Sequence, residues 1–186
     1  MKYENAVIIA GGKSTRMGKD KALLPFGKCD TLTQFQYAKL EKFFSKVYIS
    51  TKENKFHFES SLIYDKYEAS SPLVAILSIF EALDVNSIFV LSVDTPFVNQ
   101  KIIERIYMED RDDIDIIIAK SPSGDQPLCG LYKKSILGHA YSQFKKGNHK
   151  LTDLLCLVNT KRVFFEEDNP FMNLNRPEDY KKALKA

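Results

Sequence analysis

The sequence predicts a three-layer α/β/α fold with a mostly parallel central sheet. Three observations carry that prediction. Short apolar runs are continuous rather than alternating, as in Ala6–Ala10 (AVIIA) and Ser87–Ser92 (SIFVLS); strands buried on both faces read this way. Most such runs are followed by a segment with helical spacing, the order of βαβ units. Polar, chemistry-bearing motifs stand at the ends of several of the runs, where ligands bind in parallel α/β sheets.

The elements follow in order. Ala6–Ala10 is a buried strand that ends in glycine. Leu32–Phe44 (LTQFQYAKLEKFF) has helical spacing, and Lys46–Ser50 is the next strand. Leu62–Tyr64 reads as a short third strand, and Leu73–Leu83 as a helix after Pro72. Ser87–Ser92 is a strand and Gln100–Met108 a helix. Ile114–Ala119 and Leu128–Tyr132 are strands; helical segments and a short strand near Val163 follow. Pro177–Leu184 closes the chain as a helix with proline in its first turn.

Composition narrows the function classes. Net charge is +3, from 27 basic and 24 acidic residues, too mild to imply a nucleic-acid partner. The three cysteines, Cys29, Cys129 and Cys156, are odd in number and widely spaced, which argues against a disulfide framework or structural zinc site. The opening MKYENAVIIAGG lacks a signal peptide's long apolar run, and no run approaches the ~20 residues of a membrane span. A cytoplasmic protein with reduced thiols and no membrane partner is expected.

The stretch Ile8–Phe26 (IIAGGKSTRMGKDKALLPF) is the first functional motif. Gly12-Lys13-Ser14 looks like the tail of a Walker A loop, but counting back puts Val7, a strand residue, where the first glycine belongs. The dinucleotide fingerprint fails on spacing as well. What remains still suits phosphate. Gly11 and Gly12 allow close backbone approach, Arg16 can grip two phosphate oxygens, and Lys21 supplies a compact charge. A basic surface turn is the plain alternative.

Leu91–Pro96 (LSVDTP) is a strand ending in a carboxylate. Asp94 there suits magnesium, which prefers hard oxygen donors shared with phosphates and water; equally, it suits a helix N-cap. Asn173 and Asn175, in NLNRPED, would share one face of an extended segment and point toward a ligand, or else belong to a turn before the last helix. His57, His139 and His149 are scattered, without ligand spacing, and no nucleophile motif suggests covalent catalysis.

Together these residues resemble the MobA-type nucleotidyltransferases, the family of molybdenum cofactor guanylyltransferase. The matching residues are Ala10-Gly11-Gly12, Ser14-Thr15-Arg16-Met17-Gly18, Asp20-Lys21 and Leu23-Leu24. Asp65 ahead of Ser71-Pro72-Leu73, Asp94-Thr95-Pro96, Gln126-Pro127-Leu128 and Asn173–Asp179 extend the likeness over nearly the whole chain. The resemblance implies a single Rossmann-like nucleotidyltransferase domain over residues 1–186. It also implies Mg²⁺-dependent transfer of GMP from GTP to the terminal phosphate of molybdopterin, with or without molybdenum, and release of pyrophosphate.

In that picture Ile9, Ala10, Gly11 and Gly12 bind the nucleotide through the main chain. Lys21 and Arg16 hold phosphates, Asp65 contacts the nucleoside, Asp94 holds Mg²⁺, and Asn173 and Asn175 face the pterin. Molybdenum-insertion proteins and apo-molybdoenzymes are the implied protein partners. Some relatives carry Asn after the second strand, and some carry Gly-Pro-Leu; this chain has Ser50-Thr51-Lys52 and Ser71-Pro72-Leu73. A related cytidylyl- or sugar-phosphate nucleotidyltransferase is therefore the alternative enzyme. A non-catalytic nucleotide- or pterin-binding module is a further one, and it would bind GTP without turnover.

Overall fold

The computed structural model describes residues 2–11 and 20–185. Seven strands form one sheet in the order β3-β2-β1-β4-β6-β5-β7. They are β1 (Tyr3–Ile9), β2 (Phe44–Thr51), β3 (Ser61–Tyr64), β4 (Ser87–Ser92), β5 (Ile116–Ser121), β6 (Gly124–Lys133) and β7 (Thr160–Phe164). The helices are α1 (Leu32–Leu40), α2 (Pro72–Ala82), α3 (Gln100–Tyr107), α4 (Leu137–Lys145), α5 (Leu151–Leu157) and α6 (Pro177–Ala183).

All pairings are parallel except those of β6, which runs antiparallel to both β4 and β5. Each side chain of β1 follows the pleat: Ala6 and Ile8 enter one core cluster, Val7 and Ile9 the other. The first cluster takes Leu32 and Leu40 of α1, Ile102, Ile103 and Ile106 of α3, and Ala183 of α6. The second takes α2, α4 and α5. Every residue of α2 from Leu73 to Phe80 is buried, as expected of a helix that is apolar all round. This is the three-layer α/β/α architecture the apolar runs imply.

Most boundaries shift by one to three residues, and two shift by four. The first helix stops at Leu40, and Phe44, read as its last residue, opens β2 opposite Tyr3. The strand read as Leu128–Tyr132 begins at Gly124, as the second arm of a hairpin with β5. Its register shifts between Ile118 and Ala119, so that Ile118 faces Gly130 while Ala119 faces Gln126. That bulge accommodates Pro127, which has no N–H for the ladder.

The chain leaves β1 toward β2 and β3, then returns to place β4 on the other side of β1. Strand order reverses between β1 and β4. That is the point where an open α/β sheet forms a crevice at its carboxyl edge.

Candidate active site

A cavity of about 580 Å³ occupies this crevice. Ile9, Ala10 and Gly11 line it from the end of β1, Asp65 from the end of β3, and Ser92, Val93 and Asp94 from the end of β4. Ser70, Ser71 and Pro72 close it from the start of α2, and Leu128 from the bulge of β6. Lys21 belongs to a short 3-10 turn, Lys21–Leu23, whose first turn is capped when Asp20 Oδ1 accepts the Ala22 N–H at 3.0 Å. Thr33 of α1 fixes this turn by donating to the Ala22 carbonyl at 2.8 Å.

The expected cation and carboxylate meet. Lys21 Nζ lies 2.5 Å from Asp94 Oδ2 and donates to Asn175 Oδ1 at 2.9 Å. Ser92 Oγ donates to the other carboxylate oxygen, Asp94 Oδ1, at 2.6 Å. Asp94 is buried. It does not cap α3, whose N-cap is Asn99, so the helix-cap alternative for Asp94 falls away.

The tail reaches this site through its backbone: Leu174 N–H donates to the Asp94 carbonyl at 2.9 Å. Tyr180 of α6 holds the tail in place by donating its hydroxyl to the Pro25 carbonyl. The two asparagines divide. Asn175 contacts Lys21, while the Asn173 amide donates to the carbonyl of Phe171 at 3.3 Å, within its own turn. Gly12 and Arg16 lie outside the described residues.

Asp65 faces the opposite wall. Its Oδ1 accepts from Ser50 Oγ at 3.2 Å, and its N–H donates to the Thr51 carbonyl at 3.1 Å. Burial pushes its carboxyl above the ordinary aspartate range, opposed by the Ser50 hydroxyl and the Lys52 charge. A Cβ at Gly11 would lie 3.6 Å from Asp65 Oδ2, an ordinary contact. The protein itself therefore has room for a side chain at Gly11; what the glycine leaves open is cavity.

Several contributors gave no motif in the sequence. Lys55 Nζ lies 2.5 Å from Asp20 Oδ2 and 3.3 Å from the Ala10 carbonyl, joining the two ends of the glycine-loop region. Gln36 and Lys39 of α1 reach the turn that bears Asp94. Gln36 Nε2 lies 3.2, 3.3 and 3.0 Å from the carbonyls of Ser92, Val93 and Thr95. Lys39 Nζ donates to the Pro96 carbonyl at 2.8 Å; burial lowers its amine to about 7, with the nearby Cys129 thiol acting the other way. For Gln36 a signal did exist. It falls four residues from Leu32 and four from Leu40, a polar residue on the apolar face of its helix.

His149 also touches the rim, with Nδ1 3.4 Å from the Ser71 hydroxyl that caps α2. Among the described residues no group of three or more His, Cys, Asp or Glu could hold a metal ion, and no helix is long and apolar enough to cross a membrane.

A family model described as MobA-like NTP transferase domain matches residues 6–159. A protein of Campylobacter jejuni named molybdenum cofactor guanylyltransferase is 41% identical over 180 residues, which cover 96% of this chain and 94% of the relative. Among solved structures, the molybdopterin-guanine dinucleotide biosynthesis protein A of Archaeoglobus fulgidus superposes with a TM-score of 0.84 at 21% identity, over 97% of each chain. A cytidylyltransferase from Leptospira borgpetersenii shares the fold with a TM-score of 0.73 at 18% identity, over 97% of this chain and 84% of the other.

Proposed function

The chain belongs to the MobA-like NTP transferase family, and from that premise we propose that it transfers GMP from GTP to the terminal phosphate of molybdopterin, with or without molybdenum bound. One observation carries the chemistry. Lys21 and Asp94 meet at 2.5 Å on the wall of a cavity at the strand-order switch, in a chain 41% identical over nearly its full length to a molybdenum cofactor guanylyltransferase.

The reaction forms one bond and breaks another. An oxygen of the acceptor phosphate attacks the α-phosphorus of GTP; the bond from that phosphorus to the bridging oxygen of the β-phosphate breaks, and pyrophosphate leaves with the electron pair. The nucleophile is already anionic near neutral pH, so no strong general base is needed. The obstacle is repulsion between two anions, and the remedy is positioning and charge neutralisation. Lys21 supplies a fixed positive charge, and Arg16 a second. The main-chain groups of Ile9, Ala10, Gly11 and Gly12 seat the nucleotide, and the space beside Gly11 suits a ligand packed against the backbone. Asp65 contacts the nucleoside. Asn175, held by Lys21, and Asn173 lie toward the acceptor.

A lone carboxylate fits Mg²⁺ in this setting, because Mg²⁺ takes one or two protein carboxylates and fills its remaining positions with phosphate oxygens and water. Asp94 would hold the ion, which supplies Lewis-acid neutralisation of phosphate oxygens when bound. Molybdenum-insertion proteins and apo-molybdoenzymes are the partners that would receive the product, and the cytoplasm is the expected compartment.

The cytidylyltransferase fold neighbour makes base choice the decisive test. Pyrophosphate release is to be measured with each of the four NTPs, with and without molybdopterin. Acceptor-dependent release with GTP supports the proposal. Faster release with CTP assigns the chain to the cytidylyl alternative, and nucleotide binding without release assigns it a carrier role.

A further inference from the structure

We propose that Gln36 is a positioning residue for the transfer reaction, holding the turn from Ser92 to Pro96 so that the Asp94 carboxylate keeps its place in the cavity; this rests on the role proposed above for Asp94. The side chain is fully buried on α1, between Leu32 and Leu40. Its amide nitrogen lies within 3.3 Å of three main-chain carbonyls, those of Ser92, Val93 and Thr95. Only the NH₂ end can face three acceptors, so chemistry fixes the orientation of the amide.

The neighbouring contacts complete a pattern. Lys39, one turn further along α1, donates to the Pro96 carbonyl at 2.8 Å, and the Leu174 N–H donates to the Asp94 carbonyl at 2.9 Å. Every carbonyl from Ser92 to Pro96 thus accepts from a donor outside the turn, the two amide hydrogens of Gln36 being shared among three of the carbonyls. A peptide plane in this turn cannot rotate without breaking one of them.

The orientation has a cost. Gln36 Oε1 is buried and, among the described residues, has no hydrogen-bond partner. A leucine or methionine would fill the same volume and remove this unmet oxygen, but would take the donor away from the Val93 and Thr95 carbonyls. The amide therefore accepts one unmet oxygen in exchange for its hold on the turn that carries Asp94. In a reaction catalysed by positioning, displacing the carboxylate by a fraction of its contact distance is enough to lose rate.

The test compares Gln36→Met and Gln36→Glu with wild type and with Asp94→Asn. The first readout is binding of a fluorescent GTP analogue with and without Mn²⁺. In Gln36→Met the Mn²⁺-dependent gain in affinity is expected to shrink by about tenfold or more while metal-free binding stays within about twofold, and kcat for transfer to fall between about tenfold and 100-fold, the scale of a small misplacement. The second readout, which stands even should the methionine variant fold poorly, is the pH profile of Gln36→Glu. Burial and three facing carbonyls favour its neutral form, and only that form has an O–H to donate. Its activity relative to wild type is therefore expected to rise as pH falls. Wild-type metal dependence in folded Gln36→Met, or a Gln36→Glu profile parallel to wild type, overturns the proposal. If either result comes with a damaged Asp94→Asn, the role of Asp94 survives and Gln36 alone is dismissed; if Asp94→Asn itself keeps wild-type metal dependence, the reading of the site falls and the positioning role with it.

Discussion

Lys21 and Asp94 neutralise each other across 2.5 Å, so a nucleotide that uses both competes with that contact. The arrangement separates function from stability. Removing the carboxylate leaves Lys21 with Asn175 as an acceptor, which limits the structural loss. For Asp94→Ala we expect kcat for nucleotidyl transfer to fall by about 100-fold or more and stability by about 1–3 kcal/mol, measured by turnover and urea unfolding. Near-normal transfer by a folded variant would remove Asp94 from the site. Asp65 behaves differently, because burial raises its carboxyl above the ordinary value of 3.8. Between the two values the folded chain keeps a proton that the unfolded chain has lost, so folding stability declines as pH rises through that window. Asp65→Asn escapes this penalty. Its melting temperature is expected to exceed wild type at pH 7, with the difference shrinking below 3.8, where both states of wild type are protonated. The same variant should bind nucleotide more weakly by calorimetry, since an amide replaces the acceptor-only carboxylate at the cavity wall.

The β6 bulge shapes one side of the cavity by delivering Leu128 to the lining. Gly130 sits where the register changes. A Cβ there would meet the Ile117 carbonyl oxygen at 2.3 Å and Ile118 atoms at 2.9 and 3.0 Å. Two of these atoms are backbone of β5, which is paired on both sides, so relief requires the ladder to move. Gly130→Ala is expected to destabilise by about 1–3 kcal/mol, the range of overpacked cores, read as a lower urea midpoint; an unchanged midpoint would mean the bulge yields freely. This element also shows where local sequence pattern stops specifying structure. Leu128–Tyr132 was visible as an apolar run, but the polar arm Gly124–Pro127 was not, because its strand character comes from pairing with β5 across the bulge. Phe44 fits the helical period of the residues before it and equally the strand after it; only pairing with Tyr3 decides. Lys21 and Asp94 were legible because each stands in a local motif at a strand end. Gln36 shows in the sequence as a polar residue on an apolar helix face, but its partners do not, because Gln36 and its acceptors are 56 to 59 positions apart.

Taken as a whole, the molecule places one cavity where both directions of the sheet diverge. Residues from β1, β3, the turn after β4, the start of α2 and the β6 bulge all line it. A ligand there contacts elements from both core clusters and ties them together, so its binding free energy becomes folding free energy. At a concentration of 100 times Kd that linkage is about 2.7 kcal/mol. For a chain of this size each kcal/mol moves Tm by about 2–4 °C, so GTP with Mg²⁺ is expected to raise the melting temperature by about 5–11 °C. CTP at equal concentration should raise it by less than about 2 °C if the Asp65 wall selects guanine by about 100-fold in Kd, because the linkage then falls to about 0.4 kcal/mol. An equal shift with both nucleotides would locate base selection in the catalytic step rather than in binding, and a larger shift with CTP would favour the cytidylyl alternative. The comparison needs no acceptor, so it reads the nucleotide half of the cavity on its own.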